Sequence, residues 1–339
     1  MRDGEFPFFR LRLFWSCAKV FGRKGGRAMR VGCMGELLVE IMRDKVDVPL
    51  GVPGVFLGPY PSGAPAIFAD CLARLKGEVF FVGAIGRDDF GFLVLERLQK
   101  DGVDTSGIKI LDDFTTGVAF VTYFSDGSRR FIYHISRAAS GQIFPEDVRE
   151  EDFVKVDLLH VMGSTMLINE NCRASYEKAI RIVREAKKRV SFDPNFRPEL
   201  LGKDRARELF LPILRESFIV FPTEEELSVL TGEQDPLKAA EKVLSEGPEI
   251  VAIKQGKRGS TVVTKQGVYT LPAFPVEEVD PTGAGDCYCA GFLAALSRGM
   301  SVEEAGRFAN AVGALAVTRK GPMEGAPTWE EVKAFLERF

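Results

Sequence analysis

Short apolar runs of strand length alternate with stretches of helical period along most of this chain, and that rhythm leaves few folds open. Residues 31–35, 78–83, 157–162, 190–193, 218–220 and 250–254 read as buried strands. Between them, 66–75, 92–98 and 172–188 carry apolar residues at helical spacing, and Gly102 stands just past the second stretch as a stop. Strands that alternate with helices build a largely parallel sheet with helices over its faces. Two long helices, starting at 283 and 302, end the fold before 329–339.

One region breaks the rhythm. Residues 117–124 and 130–135 alternate, are rich in Val, Phe and Tyr, and are joined by Ser125-Asp126-Gly127-Ser128, the signal of a β-hairpin. With strands near 37–42 and 55–57 it would form a small sheet outside the main one. An edge meander of the main sheet is the other reading.

The chain is long enough to bury a large core, and its 45% hydrophobic and 27% charged residues are ordinary for a globular protein. The six cysteines are scattered with no Cys-x-x-Cys pair, and there are only two histidines, so a zinc site is not expected. Cys287 and Cys289 read as small core residues, and the composition suits a reducing cytoplasm. No apolar stretch reaches the ~20 residues that span a membrane. Residues 1–28 hold seven basic side chains against two acidic ones, so the rest is more acidic than the net charge of −3. That extension is expected to be a leader from an upstream start codon or a poorly ordered tail; Met29-Arg30-Val31-Gly32 opens the first strand. Neither nucleic acid nor membrane is expected as a partner.

The chemistry concentrates in Val279-Asp280-Pro281-Thr282-Gly283-Ala284-Gly285-Asp286 and the small apolar run behind it. Three small residues at a helix start expose backbone N–H groups, and the helix dipole adds a partial positive charge of roughly half a unit, which makes an anion site. Asp286 is the odd residue there. It either caps its own helix or takes a proton from a hydroxyl that attacks a phosphate. Neither a Walker-type loop nor a protein-kinase His-Arg-Asp loop is present, so phosphate handling falls to 283–286.

This segment resembles the C-terminal signature of the ribokinase-like (PfkB) sugar kinases, Asp-Thr-Thr-Gly-Ala-Gly-Asp. Pro61-Ser62-Gly63-Ala64-Pro65-Ala66 is similar to that family's Gly-Gly-x-x-Ala-Asn sugar signature, and 81–91 to its next segment. The resemblance covers roughly 29–339. It implies a three-layer α/β/α fold with a small β-sheet lid from about 37–60 and 115–136, often a homodimer surface. It implies ATP, Mg²⁺ and a monovalent cation such as K⁺ as cofactors, with a sugar as acceptor.

By the same resemblance, Gly283, Ala284 and Gly285 form the anion hole and Asp286 is the catalytic base. Glu226 in Pro222-Thr223-Glu224-Glu225-Glu226 matches the Glu of an Asn-x-x-Glu metal motif, with Thr223 replacing Asn; read alone, the segment is an acidic first helical turn capped by Thr223. Lys254, Gly256 and Gly259 fall in the nucleotide loop, with Thr282 and Asn310 also on the nucleotide side. Asp193-Pro194-Asn195-Phe196-Arg197-Pro198 resembles the form found in fructokinases and 2-keto-3-deoxygluconate kinases, with Arg197 able to bind phosphate or carboxylate bidentately. Asn195, Gly63, Ala64 and Glu40 are expected on the sugar, Glu40 standing where Asp is common.

The departures lie at the sugar end. Ser62 replaces the first Gly of the signature, and Ile67 replaces an Asn, so one expected sugar ligand is missing. In the region where keto-acid kinases place a lid arginine, the expectation is either that Arg137 substitutes for it or that the carboxylate contact is lost. The variant signature resembles a subgroup that takes ketohexoses such as tagatose or fructose. A ketohexose or keto-sugar acid kinase is therefore the expectation, with a nucleoside kinase or a catalytically silent sugar- or nucleotide-binding regulator as alternatives. A nicotinamide dehydrogenase would need a Gly-x-Gly-x-x-Gly turn that Gly32-Cys33-Met34-Gly35-Glu36 does not supply.

Overall fold

The structure is a computed structural model that describes residues 29–197 and 202–339. The basic segment 1–28 and Pro198 lie outside the described residues.

The alternating runs become a nine-stranded sheet. Along the chain come β1 (Arg30–Met34), β2 (Leu38–Arg43), β3 (Phe56–Ser62), α1 (Ala64–Arg74), β4 (Glu78–Gly86), α2 (Asp89–Lys100), β5 (Asp104–Leu111), β6 (Gly117–Tyr123) and β7 (Arg129–His134). Then follow α3 (Glu150–Phe153), β8 (Leu158–Met162), α4 (Gly163–Met166), α5 (Glu170–Glu185), β9 (Arg189–Asp193), α6 (Lys203–Glu216), β10 (Ile219–Val220), α7 (Glu224–Thr231) and α8 (Pro236–Glu246). The chain ends with β11 (Ile250–Lys254), β12 (Ser260–Thr264), β13 (Gly267–Leu271), α9 (Ala284–Ser297), α10 (Val302–Ala316) and α11 (Trp329–Leu336).

The main sheet runs β13-β12-β11-β10-β9-β8-β1-β4-β5, parallel except for the antiparallel ribbon of β12 and β13 at one edge. From β1 the chain builds outward through β4 on one side and later through β8 on the other. The order therefore reverses between β1 and β8, where open α/β sheets leave a crevice for ligands.

Period-two geometry sends neighbouring strand residues to opposite faces. Val31, Cys33, Val79 and Phe81 join a core with α1, α9, α10 and α11. Met34, Phe80, Val82 and Val161 join a second core with α5, α6, α7 and α8. Helices on both faces explain why the strands read as unbroken apolar runs rather than alternating ones.

The second sheet, β3-β2-β6-β7, is separate from the first, so the region that breaks the rhythm is not a meander on the main sheet. Its β6–β7 hairpin pairs Val118 with His134 and Tyr123 with Arg129. Strand β3 runs on to Ser62, well past 55–57, because an edge strand tolerates Pro59 and Pro61. The polar edge strand β5 has no counterpart in the sequence reading: Asp104-Thr105-Ser106 looks like a turn, and the strand is only partly buried. Among the described residues, no helix is long and apolar enough to cross a membrane.

Candidate active site

A cavity of about 920 Å³ lies between the inner face of the small sheet and the C-terminal ends of the main strands. It is lined by Gly283, Ala284, Gly285 and Asp286 at its middle, by residues of β2, β6 and β7 at one end, and by 273–278 and α10 at the other.

The middle is an anion site. Gly283 is the residue before α9, in left-handed conformation with φ 80°. A Cβ there would stand 2.5 Å from Pro322 O and 3.1 Å from Ile67 Cγ2, so only glycine fits the turn. The amides of Gly285 and Asp286 donate to no protein acceptor among the described residues. The helix start therefore presents bare N–H groups to the cavity.

Asp286 does not cap its helix: the cap position receives no side-chain hydrogen bond. Instead its Oδ1 accepts from Asn195 Nδ2 at 2.9 Å, across 91 residues of chain. Burial, with Asp193 nearby and only partly offset by Arg197 and Lys254, pushes the carboxyl up to about 7. Such a group exchanges a proton near neutral pH, as a general base must. Asn195, expected as a sugar ligand, thus also orients this carboxylate. It does so in a left-handed conformation, φ 38°, unusual for a non-glycine residue and of the kind found at functional sites.

Strand ends supply the charges around this carboxylate. Asp193 closes β9 and receives Lys254 Nζ at 2.6 Å. Glu226 is the third residue of α7: its Oε2 accepts from Thr223 N at 2.7 Å, and Thr223 Oγ1 accepts from Glu226 N at 3.2 Å. Its Oε1 accepts from Phe196 N at 2.8 Å, so one carboxylate joins α7 to the 194–197 loop. The capped-turn reading and the cavity-facing reading of Glu226 both hold. Each oxygen keeps a further lone-pair site. Among the described residues no three His, Cys, Asp or Glu side chains form a metal cage. What fits here is a hard cation that keeps several of its waters, such as Mg²⁺, held at Glu226.

At the sugar end, Gly63 precedes α1 with φ 111°, its Cα so close to Glu36 O that a Cβ would lie at 2.2 Å. Ala64 lines the cavity beside it. Glu40, 3% exposed, has one partner, Ser62 Oγ donating to Oε2 at 3.3 Å, while Oε1 has none. Burial and the nearby Asp280 push it up to about 8. The Ser that replaces Gly therefore serves the Glu that replaces Asp. Ile67 packs beneath Gly283 and offers the cavity only carbon.

Arg137 does not line the cavity; it is exposed beyond the end of β7. The arginine of the small sheet that does is Arg129, because residues 129, 131 and 133 point inward and 137 lies past the strand. At the nucleotide end, Gly256 and Gly259 line the cavity with φ 57° and 100°. Asn310 lines it too, but its Nδ2 donates to Leu271 O at 3.0 Å and Pro272 O at 3.2 Å, holding the wall segment rather than projecting free. Thr282 Oγ1 is engaged with Tyr123 Oη at 2.6 Å.

A sequence profile described as pfkB family carbohydrate kinase matches residues 48–329. The chain belongs to that family. Fructokinase-1 of Oryza sativa subsp. japonica is 32% identical over 92% of this chain and 99% of its own length. An E. coli protein solved with ATP and Mg²⁺, provisionally described as a ribokinase II, superimposes with TM-score 0.86 at 39% identity, over 92% of this chain and 100% of its own. A fructokinase from Vibrio cholerae O395, solved with fructose, ADP and calcium, gives TM-score 0.78 at 28% identity, over 91% and 99%.

For a pfkB-family kinase, several cavity residues escaped the sequence reading. Glu36 is buried, with its carboxylate accepting from Ser164 Oγ at 2.8 Å and from Thr165 Oγ1. Its place in Gly35-Glu36-Leu37-Leu38-Val39-Glu40 was the available signal. Arg129, Phe131 and Tyr133 carried none, because which face of a hairpin looks inward depends on where the sheet sits.

Proposed function

We propose that this pfkB-family kinase uses ATP and Mg²⁺ to phosphorylate a primary hydroxyl of a fructose-type ketohexose or a keto-sugar acid such as 2-keto-3-deoxygluconate. One observation carries the reading: the Asp286 carboxylate stands at a bare helix N-terminus without capping it. Its Oδ2 has no protein donor among the described residues, which supports a role in taking the hydroxyl proton. The sugar oxygen then bonds to the γ-phosphorus as the bond to the β-phosphate breaks, and the bare amides offset the charge on the phosphoryl oxygens. Mg²⁺, when bound, offsets phosphate charge from the Glu226 side.

The fructokinase relatives support a ketohexose. Arg129 and Arg197, both lining the sugar end, support an acceptor that carries a carboxylate. The five described cysteines, all free and buried, suit the reducing cytoplasm. ADP release with fructose, tagatose, 2-keto-3-deoxygluconate and a nucleoside panel tests the reading. Asp286→Asn is expected to bind ATP while turnover falls by about 10²–10⁴-fold. Near-normal turnover would remove Asp286 as the base; release with nucleosides alone would make this a nucleoside kinase.

A further inference from the structure

The Lys254 ammonium has no task in the nucleotide loop, whose resemblance rests on the backbone at Gly256. Its side chain is 12% exposed, and its Nζ lies 2.6 Å from Asp193 Oδ2, which is fully buried. An ammonium has three donors, and among the described residues this one has a single acceptor. The same Nζ is 3.6 Å from where a Cβ on Gly285 would stand, with Cδ at 3.7 Å. With Cε at 4.0 Å, the three nearest atoms to that point, apart from the chain neighbours and the helix's own backbone, all belong to Lys254. The charge therefore stands beside Gly285 at the start of α9, inside the cavity that both residues line.

We propose that Lys254 binds the transferring phosphoryl group of the nucleoside triphosphate, with Asp193 as the positioning residue that aims it. The inference rests on the phosphoryl-transfer reading above and adds a residue to it. Two remaining N–H donors meet phosphoryl oxygens opposite the helix amides. Lys254 moves no proton: burial opposes its charge, but the carboxylates around it, Asp193 foremost, outweigh burial and hold it protonated. The proton goes from sugar hydroxyl to Asp286, and the bond electrons leave with the diphosphate. A Cβ on Gly285 would meet Lys254 at ordinary contact distance, so the small residue there leaves the ammonium next to the helix start. A group that touches only the terminal phosphoryl distinguishes tri- from diphosphate.

The test measures dissociation constants of the full chain for ADP and for the non-hydrolysable β,γ-imido analogue of ATP, with turnover on the sugar that the panel identifies. Lys254→Met leaves Asp193 buried without its partner, so Lys254→Met/Asp193→Asn serves as the neutral pair. Both variants are expected to lose about 10–100-fold in affinity for the triphosphate analogue, less than about 3-fold for ADP, and about 10²–10³-fold in kcat. Lys254→Arg, which keeps the charge, is expected to recover part of the discrimination. A folded double variant with the wild-type preference for triphosphate and wild-type kcat overturns the proposal. Equal losses for both nucleotides also overturn it, since they would show a packing role. Wild-type protein that fails to bind the triphosphate analogue would instead overturn the kinase reading itself.

Discussion

At the scale of single residues, the site is organised by carboxylates that the fold keeps from their ordinary behaviour. Asp286 is raised to about 7 by burial and by Asp193, and the base form appears only above that value. Sugar-dependent kcat/KM is therefore expected to rise about tenfold per pH unit below pH 7 and to level off above it. A profile flat from pH 5 to pH 8 would contradict the assignment. The same shift acts on stability with opposite sign. A carboxyl whose folded pKa exceeds its unfolded one contributes stability that is complete below the ordinary carboxylate range and lost as pH rises through about 7. Asp286→Asn cannot ionise, so its Tm should exceed that of wild type by about 1–3 °C at pH 8 and match it near pH 4. The conditions that ionise Asp286 are the ones in which the fold tolerates it least.

At the scale of elements, one side chain of the small sheet hydrogen-bonds to the loop that leads into α9. Tyr123, the last residue of β6, donates its hydroxyl to Asp280 Oδ1 at 3.0 Å and contacts Thr282 Oγ1. Asp280 in turn accepts from Thr282 N at 3.0 Å and Gly321 N at 2.9 Å. On the proposed reading, one phenol thus joins the sheet that would exclude water to the turn that would receive phosphate. Tyr123→Phe keeps the ring and removes the joint. It should lower stability by about 1–2 kcal/mol and reduce the extent to which bound sugar tightens ATP binding. Calorimetric ATP titrations with and without sugar measure this, and an unchanged ratio would show that the two elements act independently.

At the scale of the whole molecule, what the sequence made legible was local. The helix start at 283–286, the capped turn at Thr223 and the apolar strands are written in consecutive residues, so spacing reveals them. What it hid is contact between distant segments. Asn195 reaches Asp286 across 91 residues, Glu36 reaches Thr165 across 129, and Tyr123 reaches Asp280 across 157. Arg129 faces the cavity and Arg137 does not because of where β7 ends, a matter of register that one hairpin cannot announce. Edge strand β5 was hidden for another reason: a half-exposed strand has no need to be apolar.

The two-sided core has a consequence for how substitutions combine. Phe80 and Phe81 are covalent neighbours, yet they belong to different cores on opposite faces of the sheet. Phe80 shares its core with Phe153, edge-on at 5.9 Å. Stability changes for Phe80→Leu and Phe81→Leu should therefore add to within about 0.5 kcal/mol. Phe80→Leu and Phe153→Leu, 73 positions apart, should couple by about 0.5–1.5 kcal/mol. A thermodynamic cycle that reversed this order would mean that the sheet transmits strain through its plane. If the order holds, each face can change composition without consulting the other, and sequence distance is a poor guide to which substitutions compensate.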